Sequence, residues 1–305
     1  MSNPTPSTTQ AYLHLHFLVV LWSFTAILGK LIAIPPVEIV FYRTLFAFVV
    51  LYGILKWRGQ SLYPGRVNML SILATGCVIA LHWVLFFLGA RVSNISICLA
   101  GMATTSLWTS LIEPLYFRRK IKVYEPILGI VAIIGISVVF DAVIDQYLGF
   151  LIGVASALLA SVFTIINGQL VKKTNHLVIS FYQMLGACLC VLVFMPIYGH
   201  MSSSNGVQLA LATSDIIYLL ILAIVCTVYA HSNSIKLMHK LSAFSLNLTV
   251  NLEPVYGILL AVAIFGNSEH MGPSFYWGTF IILCSVLLHP VLAYYEKRKI
   301  PKEVC

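Results

Sequence analysis

Long apolar runs fill almost the whole 305-residue sequence, and they restrict the fold more than any other feature. A helix that crosses a bilayer needs about 20 consecutive apolar residues. The runs are continuous rather than alternating with a period of two, which favours helical spans over a membrane barrel. We therefore expect ten transmembrane helices, near residues 12–32, 37–56, 67–90, 93–117, 124–141, 147–171, 176–198, 213–236, 241–266 and 273–293.

The composition agrees with an all-α integral membrane protein. Only 9% of the residues are charged, whereas about 25% is usual for a soluble domain that needs a wettable surface. This scarcity of charge argues against a cytosolic enzyme, a nucleic-acid-binding protein and a secreted disulfide scaffold. We expect the lipid bilayer, rather than water, to cover most of the surface.

The basic residues predict the orientation of the chain. If the loops are numbered alternately, fifteen of the eighteen Lys and Arg residues fall on the side of the N-terminus. The other side holds Lys30 and Arg91 together with five acidic residues, which are Glu38, Asp141, Asp145, Asp215 and Glu269. The positive-inside rule then predicts that both termini are cytoplasmic, and it explains the net charge of +8 without a nucleic-acid partner.

The sequence divides into two similar halves. Residues 24–31 resemble residues 163–170 at an offset of 139, whereas Leu107-Trp108 and Val255-Tyr256 match at an offset of 148. We expect a disordered cytoplasmic tail over 1–11, one five-helix repeat over 12–141, a second over 147–293 and a basic cytoplasmic tail over 294–305. Because each repeat has an odd number of spans, the second is expected to be inverted, as in many secondary transporters.

Two Glu-Pro pairs, Glu113-Pro114 and Glu253-Pro254, need separate treatment. They lie 140 residues apart, which conflicts with the local offset of 148, so we interpret them as non-equivalent. Each is expected to place a proline inside a helix, where it leaves a backbone carbonyl without its usual partner.

Several short motifs resemble the drug/metabolite transporter superfamily, in particular its EamA-like group. They are Trp22-Ser23-Phe24 with Lys30, Phe41-Tyr42-Arg43, His82-Trp83, and Leu252-Glu253-Pro254-Val255-Tyr256. Two departures are Ser106, where the family often has proline, and Arg118-Arg119, which replaces the usual Gly-Glu. The resemblance implies transport of small polar metabolites, amino acids or drug-like compounds, often outward, and it does not fix the substrate.

Glu253 is the ionisable residue expected nearest the bilayer centre, where a charge costs at least about 2.5–3.5 kcal/mol. It is either a binding or proton-coupling carboxylate or a structural acid that braces the distortion at Pro254. Asn247 and Asn251 flank it at helical spacing and are further substrate-binding candidates. Glu113, near the cytoplasmic end of its helix, is interpreted as the partner of a nearby basic residue, although a functional role stays open.

Four other residues are candidates for substrate binding. Arg43 could hold an anionic group by bidentate contacts, or it could reach the interface and pair with Glu38. His82, Trp83 and His231 could contact an aromatic or cationic solute, but membrane histidines often make interhelical hydrogen bonds instead.

Residues near the middle of helices 1 and 6 complete the expected cavity lining. They are Trp22, which is also a substrate-binding candidate, and the small polar residues Ser23, Thr25, Ser161 and Thr164. In helix 6, Gly149 and Gly153 form a GxxxG pattern that is typical of close helix contact.

We predict a secondary active transporter that works by alternating access, with export as the expected direction and proton coupling if Glu253 titrates. No nucleotide-binding loop, nucleophile elbow, cysteine pair or metal-ligand spacing occurs, so no enzyme activity, metal or cofactor is expected. The expected location is the inner membrane of a bacterial cell, and a homodimer is left open. The alternatives are a membrane scaffold or a lipid-handling protein, and a central cavity lined by helices 1, 3, 4, 6, 8 and 9 would favour transport over both.

Overall fold

A computed structural model describes residues 8–64, 66–118, 127–128, 131, 134–135, 137–139, 144–201 and 206–299. Within these ranges the regular structure is helical and contains no strand. Eight helical stretches are long and apolar enough to cross a membrane, and each coincides with a predicted span. The chain is therefore a multi-pass membrane protein. The predicted fifth helix, over 124–141, lies largely outside the described residues.

The helices of the described residues follow the predicted order closely. They are α1 (Thr8–Leu31), α2 (Pro36–Trp57), α3 (Arg66–Val92), α4 (Ile95–Met102), α5 (Thr105–Phe117), α6 (Tyr147–Leu170), α7 (His176–Met201), α8 (Thr213–Ile221), α9 (Ala230–Leu237), α10 (Ala243–Val250), α11 (Glu253–Phe265) and α12 (Pro273–Lys299). A short 3-10 turn precedes α6, and another follows α11.

The predicted eighth span contains a π-helical segment, Leu222–Tyr229, that joins α8 to α9. The Thr227 hydroxyl donates to the carbonyl of Leu222 at 2.9 Å, five residues earlier, as the wider turn allows. The Cys226 carbonyl accepts instead from the Trp22 indole of α1 at 3.1 Å. Segments of this kind are frequent at functional sites, and here one fixes a neighbouring helix.

The predicted fourth and ninth spans are broken at matching positions. Each of the four helix ends in α4 and α5 lies 148 residues before the corresponding end in α10 and α11. The caps match as well, since Asn94 and Ser242 each accept a backbone N–H with the side chain at the start. Arg118 and Gly266 both have positive φ at the end. The structure thus confirms the offset of 148 and the two-repeat architecture.

One prediction about these breaks is wrong. Pro254 does not lie in the interior of a helix, because the chain turns at Asn251 and Leu252 and Pro254 falls in the first turn of α11. A proline there is well tolerated because the first-turn N–H has no helical partner to lose. The first repeat breaks at the same place with Ser106 in the equivalent position, so proline does not cause the break. Pro114, by contrast, lies inside α5 as predicted.

The GxxxG pattern of α6 makes the predicted close contact. A Cβ atom on Gly153 would lie 2.6 Å from the carbonyl oxygen of Cys98 in α4, and one on Gly149 would overlap Ser93. In return, a Cβ atom on Gly101 would lie 2.6 Å from the carbonyl oxygen of Phe150. The backbones of α4 and α6 therefore touch, and only glycine fits at these crossings.

Buried acidic groups join the two repeats near the C-terminal end of α1. The Glu269 carboxylate is fully buried and pairs with Lys30 at 2.7 Å. It also accepts the backbone N–H groups of Ile95 and Ser96, at 3.1 and 2.9 Å, and the Ser96 hydroxyl at 3.1 Å. Glu269 thereby neutralises and caps the N-terminus of α4.

Two further contacts at this end also cross between the repeats. Asp215 accepts the backbone N–H of Ala33 at 3.0 Å, and Glu38 accepts that of Gln208 at 3.0 Å. Arg91 donates to the carbonyl of Ile32 at 2.6 Å within the first repeat. Five charged residues that the positive-inside rule assigns to the outer side of the membrane thus lie close to the C-terminal end of α1. They are Lys30, Glu38, Arg91, Asp215 and Glu269.

Candidate functional site

A cavity of about 80 Å³ lies between the two repeats. The predicted helices 1, 3, 4, 6, 8 and 9 all contribute to its wall, and Arg43 adds a contribution from the second. Seven of the eight predicted substrate-binding residues line it, namely Trp22, Arg43, His82, Trp83, His231, Asn247 and Glu253. The structure therefore brings together most of the polar and aromatic residues that the sequence analysis selected.

Arg43 is the most deeply buried charge in the cavity wall, with 1% of its surface exposed. Its Nε donates to the Thr227 hydroxyl at 2.8 Å, and its guanidinium carbon lies 3.8 Å from the centre of the Trp83 ring. The expectation that Arg43 could reach the interface and pair with Glu38 is wrong, because Glu38 binds a backbone N–H elsewhere. The Nη1 group of Arg43 is buried and has no hydrogen-bond partner in the described structure.

Glu253 is the first residue of α11, directly after the helix break, and only 8% of its surface is exposed. Its backbone carbonyl accepts from the Ser23 hydroxyl at 3.3 Å. The side-chain carboxylate lines the cavity, and no residue of the described ranges forms an ion pair or hydrogen bond with it. Within these ranges no bond from this carboxylate braces the chain at Pro254.

The two histidines both form interhelical hydrogen bonds while lining the cavity. His82 Nδ1 lies 2.8 Å from the hydroxyl of Ser156 and 2.9 Å from its carbonyl oxygen, which ties α3 to α6. His231 Nε2 lies 3.0 Å from Gln183 Oε1, and the Gln183 amide donates in turn to Asn167 Oδ1. Their positions are thus set by buried polar partners, as expected for polar groups in a membrane interior.

The two asparagines have different environments. Asn247 lines the cavity and donates to the Thr109 hydroxyl at 2.7 Å. Asn251 lies outside the lining and donates to the Ala103 carbonyl at 2.8 Å and the Ser106 hydroxyl at 2.7 Å. Ala103 and Asn251 are equivalent positions of the two repeats, so the two helix breaks bind each other directly.

Several lining residues were not predicted, or were predicted only as general lining. Thr25 and Thr164 line the cavity as expected, whereas the hydroxyls of Ser23 and Ser161 bond to backbone carbonyls away from it. Lining residues not selected from the sequence include Phe86, Met102, Thr105, Phe163 and Asn167. Thr105 could have been predicted from the offset of 148, since it is the counterpart of Glu253 in the first repeat.

Comparison with known proteins gives a family and a fold. The EamA-like transporter family matches residues 10–141 and again residues 147–289. A solved structure titled only "Crystal structure of protein" is 16% identical and has a TM-score of 0.68. The similarity covers 94% of this chain and 99% of that one, and it shows the fold alone. No curated protein matches the sequence.

Proposed function

Because the chain belongs to the EamA-like transporter family, we propose that it moves a small solute across the membrane as a secondary transporter. The observation that carries this proposal is the cavity between the two repeats, which holds two buried charged residues, Arg43 and Glu253. Buried charges in membrane proteins usually mark a substrate or ion pathway, because they are costly elsewhere. The proposed location is the inner membrane of a bacterial cell, with both termini cytoplasmic.

Alternating access would come from movement of one repeat against the other. Sites between inverted repeats become exposed to each side in turn when the halves rock. The contacts of Glu269, Asp215 and Glu38 join the repeats near the end of α1, so opening the cavity at that end requires these bonds to break. Export is the proposed direction of transport. No cofactor is proposed for the movement of the two repeats.

Glu253 is the proposed site of proton coupling. Its carboxylate faces the cavity without a partner in the described structure, so proton binding would not have to displace an existing ion pair. A carboxylate that alternately binds a proton and solute can link a pH gradient to solute movement. In this scheme the proton and the solute move in opposite directions.

Proteoliposomes can test both parts of the proposal. Wild-type protein should accumulate a radiolabelled solute from a metabolite panel when a pH gradient is imposed. Glu253→Gln should abolish this dependence, while solute exchange without a gradient continues with a raised KM. Glu113→Gln is the matched control, because Glu113 belongs to the other Glu-Pro pair and lies outside the cavity lining. Coupling is refuted if Glu253→Gln responds to the gradient as the wild type does.

A scaffold or lipid-handling protein is the alternative function. Either would need no cavity with buried charges at the junction of the repeats, and a lipid-handling site would need polar residues at the membrane surface. Wild-type proteoliposomes that move no member of a panel covering amino acids, organic cations, organic anions and sugars would favour this alternative.

A further inference from the structure

We propose that the cavity binds a zwitterion, with the anionic group of the solute on Arg43 and the cationic group on Glu253. The inference rests on the proposed transport function and names the chemical class of the solute. It follows from the two charged residues that the described structure leaves incompletely paired in one cavity wall.

The anionic end is assigned by what remains free on Arg43. Nε is occupied by Thr227, and one face of the guanidinium is covered by Trp83. The Nη1 group is buried without a partner, so the unused part of the guanidinium is its edge. An arginine edge matches a carboxylate, which accepts two parallel N–H bonds.

The cationic end is assigned by Glu253. Its carboxylate lines the same cavity and accepts no hydrogen bond from the described residues. An ammonium group can donate up to three N–H bonds, and the aromatic ring of Trp22 in the same wall adds cation–π attraction. An amine is therefore the complementary group at this end.

A solute with a single charge fits this cavity less well than a zwitterion. Arg43 and Glu253 attract each other across the cavity. An anion drawn to Arg43 is therefore repelled by Glu253, and a cation drawn to Glu253 is repelled by Arg43, which is costly in a low-dielectric interior. A zwitterion compensates both and adds no net charge. Much of the remaining wall is apolar, including Phe86, Met102 and Phe163, so the rest of the solute is expected to be apolar.

The test uses matched trios of solutes built on leucine, methionine and phenylalanine. Each trio contains the amino acid, the amine that lacks the carboxylate and the acid that lacks the amine. Binding to the purified protein is measured by ligand-dependent thermal stabilisation, and exchange is measured in proteoliposomes. Hydrogen bonds to charged groups predict that one amino acid or more binds about 10- to 100-fold tighter than both of its analogues.

Two variants separate recognition from misfolding. Glu253→Gln should weaken binding of the amino acid at least tenfold without weakening binding of the acid analogue. Arg43→Gln should weaken binding of the amino acid to a similar extent without weakening binding of the amine analogue. Glu113→Gln should change neither ratio. A misfolded protein would lose all three ligands together, so this crossed pattern is specific to the two proposed contacts.

The inference is overturned if, in every trio that shows binding, the amine or the acid binds within tenfold of its amino acid. It is also overturned if all nine solutes fail while another solute, such as an organic cation or a sugar, is transported. In that second case the proposed transport function stands and only the substrate class is wrong.

Discussion

Replacing Glu269 by alanine should destabilise the protein more than any other single truncation at that end of the molecule. The carboxylate accepts from Lys30, from two backbone N–H groups of α4 and from the Ser96 hydroxyl. Hydrogen bonds to a charged group typically contribute about 1.5–3 kcal/mol each. Two N–H groups would also be left without an acceptor at a helix N-terminus, so we expect Glu269→Ala to cost about 3–5 kcal/mol.

Two milder variants separate the contributions of the hydrogen bonds and of the ion pair to this loss of stability. Glu269→Gln keeps the shape and one acceptor oxygen, and we expect a loss of about 1–2 kcal/mol. Lys30→Met leaves the three donors of Ile95 and Ser96 in place. Because the Lys30 side chain is 31% exposed, solvent weakens the pair and the expected loss is only about 1 kcal/mol.

The assay is reversible unfolding of the purified protein in mixed detergent micelles, followed by tryptophan fluorescence. The double variant Lys30→Met with Glu269→Gln closes a thermodynamic cycle and isolates the energy of the ion pair. The reasoning fails if Lys30→Met costs as much as Glu269→Ala, because the backbone contacts would then contribute nothing. It also fails if Glu269→Ala costs less than about 1 kcal/mol, since the bonds would then be far weaker than burial implies.

Five other substitutions test three local features by the same unfolding measurement. Arg118→Gly should stabilise by about 0.5–1 kcal/mol, because φ there is 50° and a side chain is strained in that region. Gly266→Ala at the matching end should destabilise for the same reason. The reasoning is contradicted if Arg118→Gly destabilises the protein or Gly266→Ala stabilises it. Gly153→Ala should cost about 1–3 kcal/mol by separating α4 from α6. Gly168→Ala, in open space on the same helix, should be neutral or stabilising because alanine has the higher helix propensity. A similar loss at both sites would show that the contact between α4 and α6 is not its cause. Gln183→Leu should cost about 2–4 kcal/mol by leaving two buried polar partners unpaired, and a change below 1 kcal/mol would show that they find water or each other.

The sequence was sufficient to place eight spans because the length of an apolar run is set by the bilayer. The predicted run over 147–171 is the helix Tyr147–Leu170, and that over 213–236 is the stretch Thr213–Leu237. The offsets between the halves were also readable, since duplication preserves spacing. The helix breaks and the π-helical segment were not predictable, because they depend on contacts from other helices. The break in the first repeat has no proline to announce it.

The candidate site was predicted in part for a similar reason. Charged and aromatic residues such as Arg43 and Trp83 stand out because few such residues are tolerated inside a membrane. Thr105 and Asn167 did not, since small polar side chains are common in helix packing. Asn251 was placed with Glu253 by assuming an unbroken helix. The chain turns between them, and the asparagine side chain bonds to the opposite break instead.

The matched breaks have a consequence for how a solute can sit between the repeats. Thr105 and Glu253 occupy the same position in two copies of one backbone, and both line the cavity. Equivalent positions of the two repeats therefore face one enclosure with different charge. A polar solute bound there, as proposed, would be held in one orientation by these charges and would keep it relative to the second repeat from entry to release. Duplication would then have supplied the chamber, and divergence at a few positions would have given it polarity.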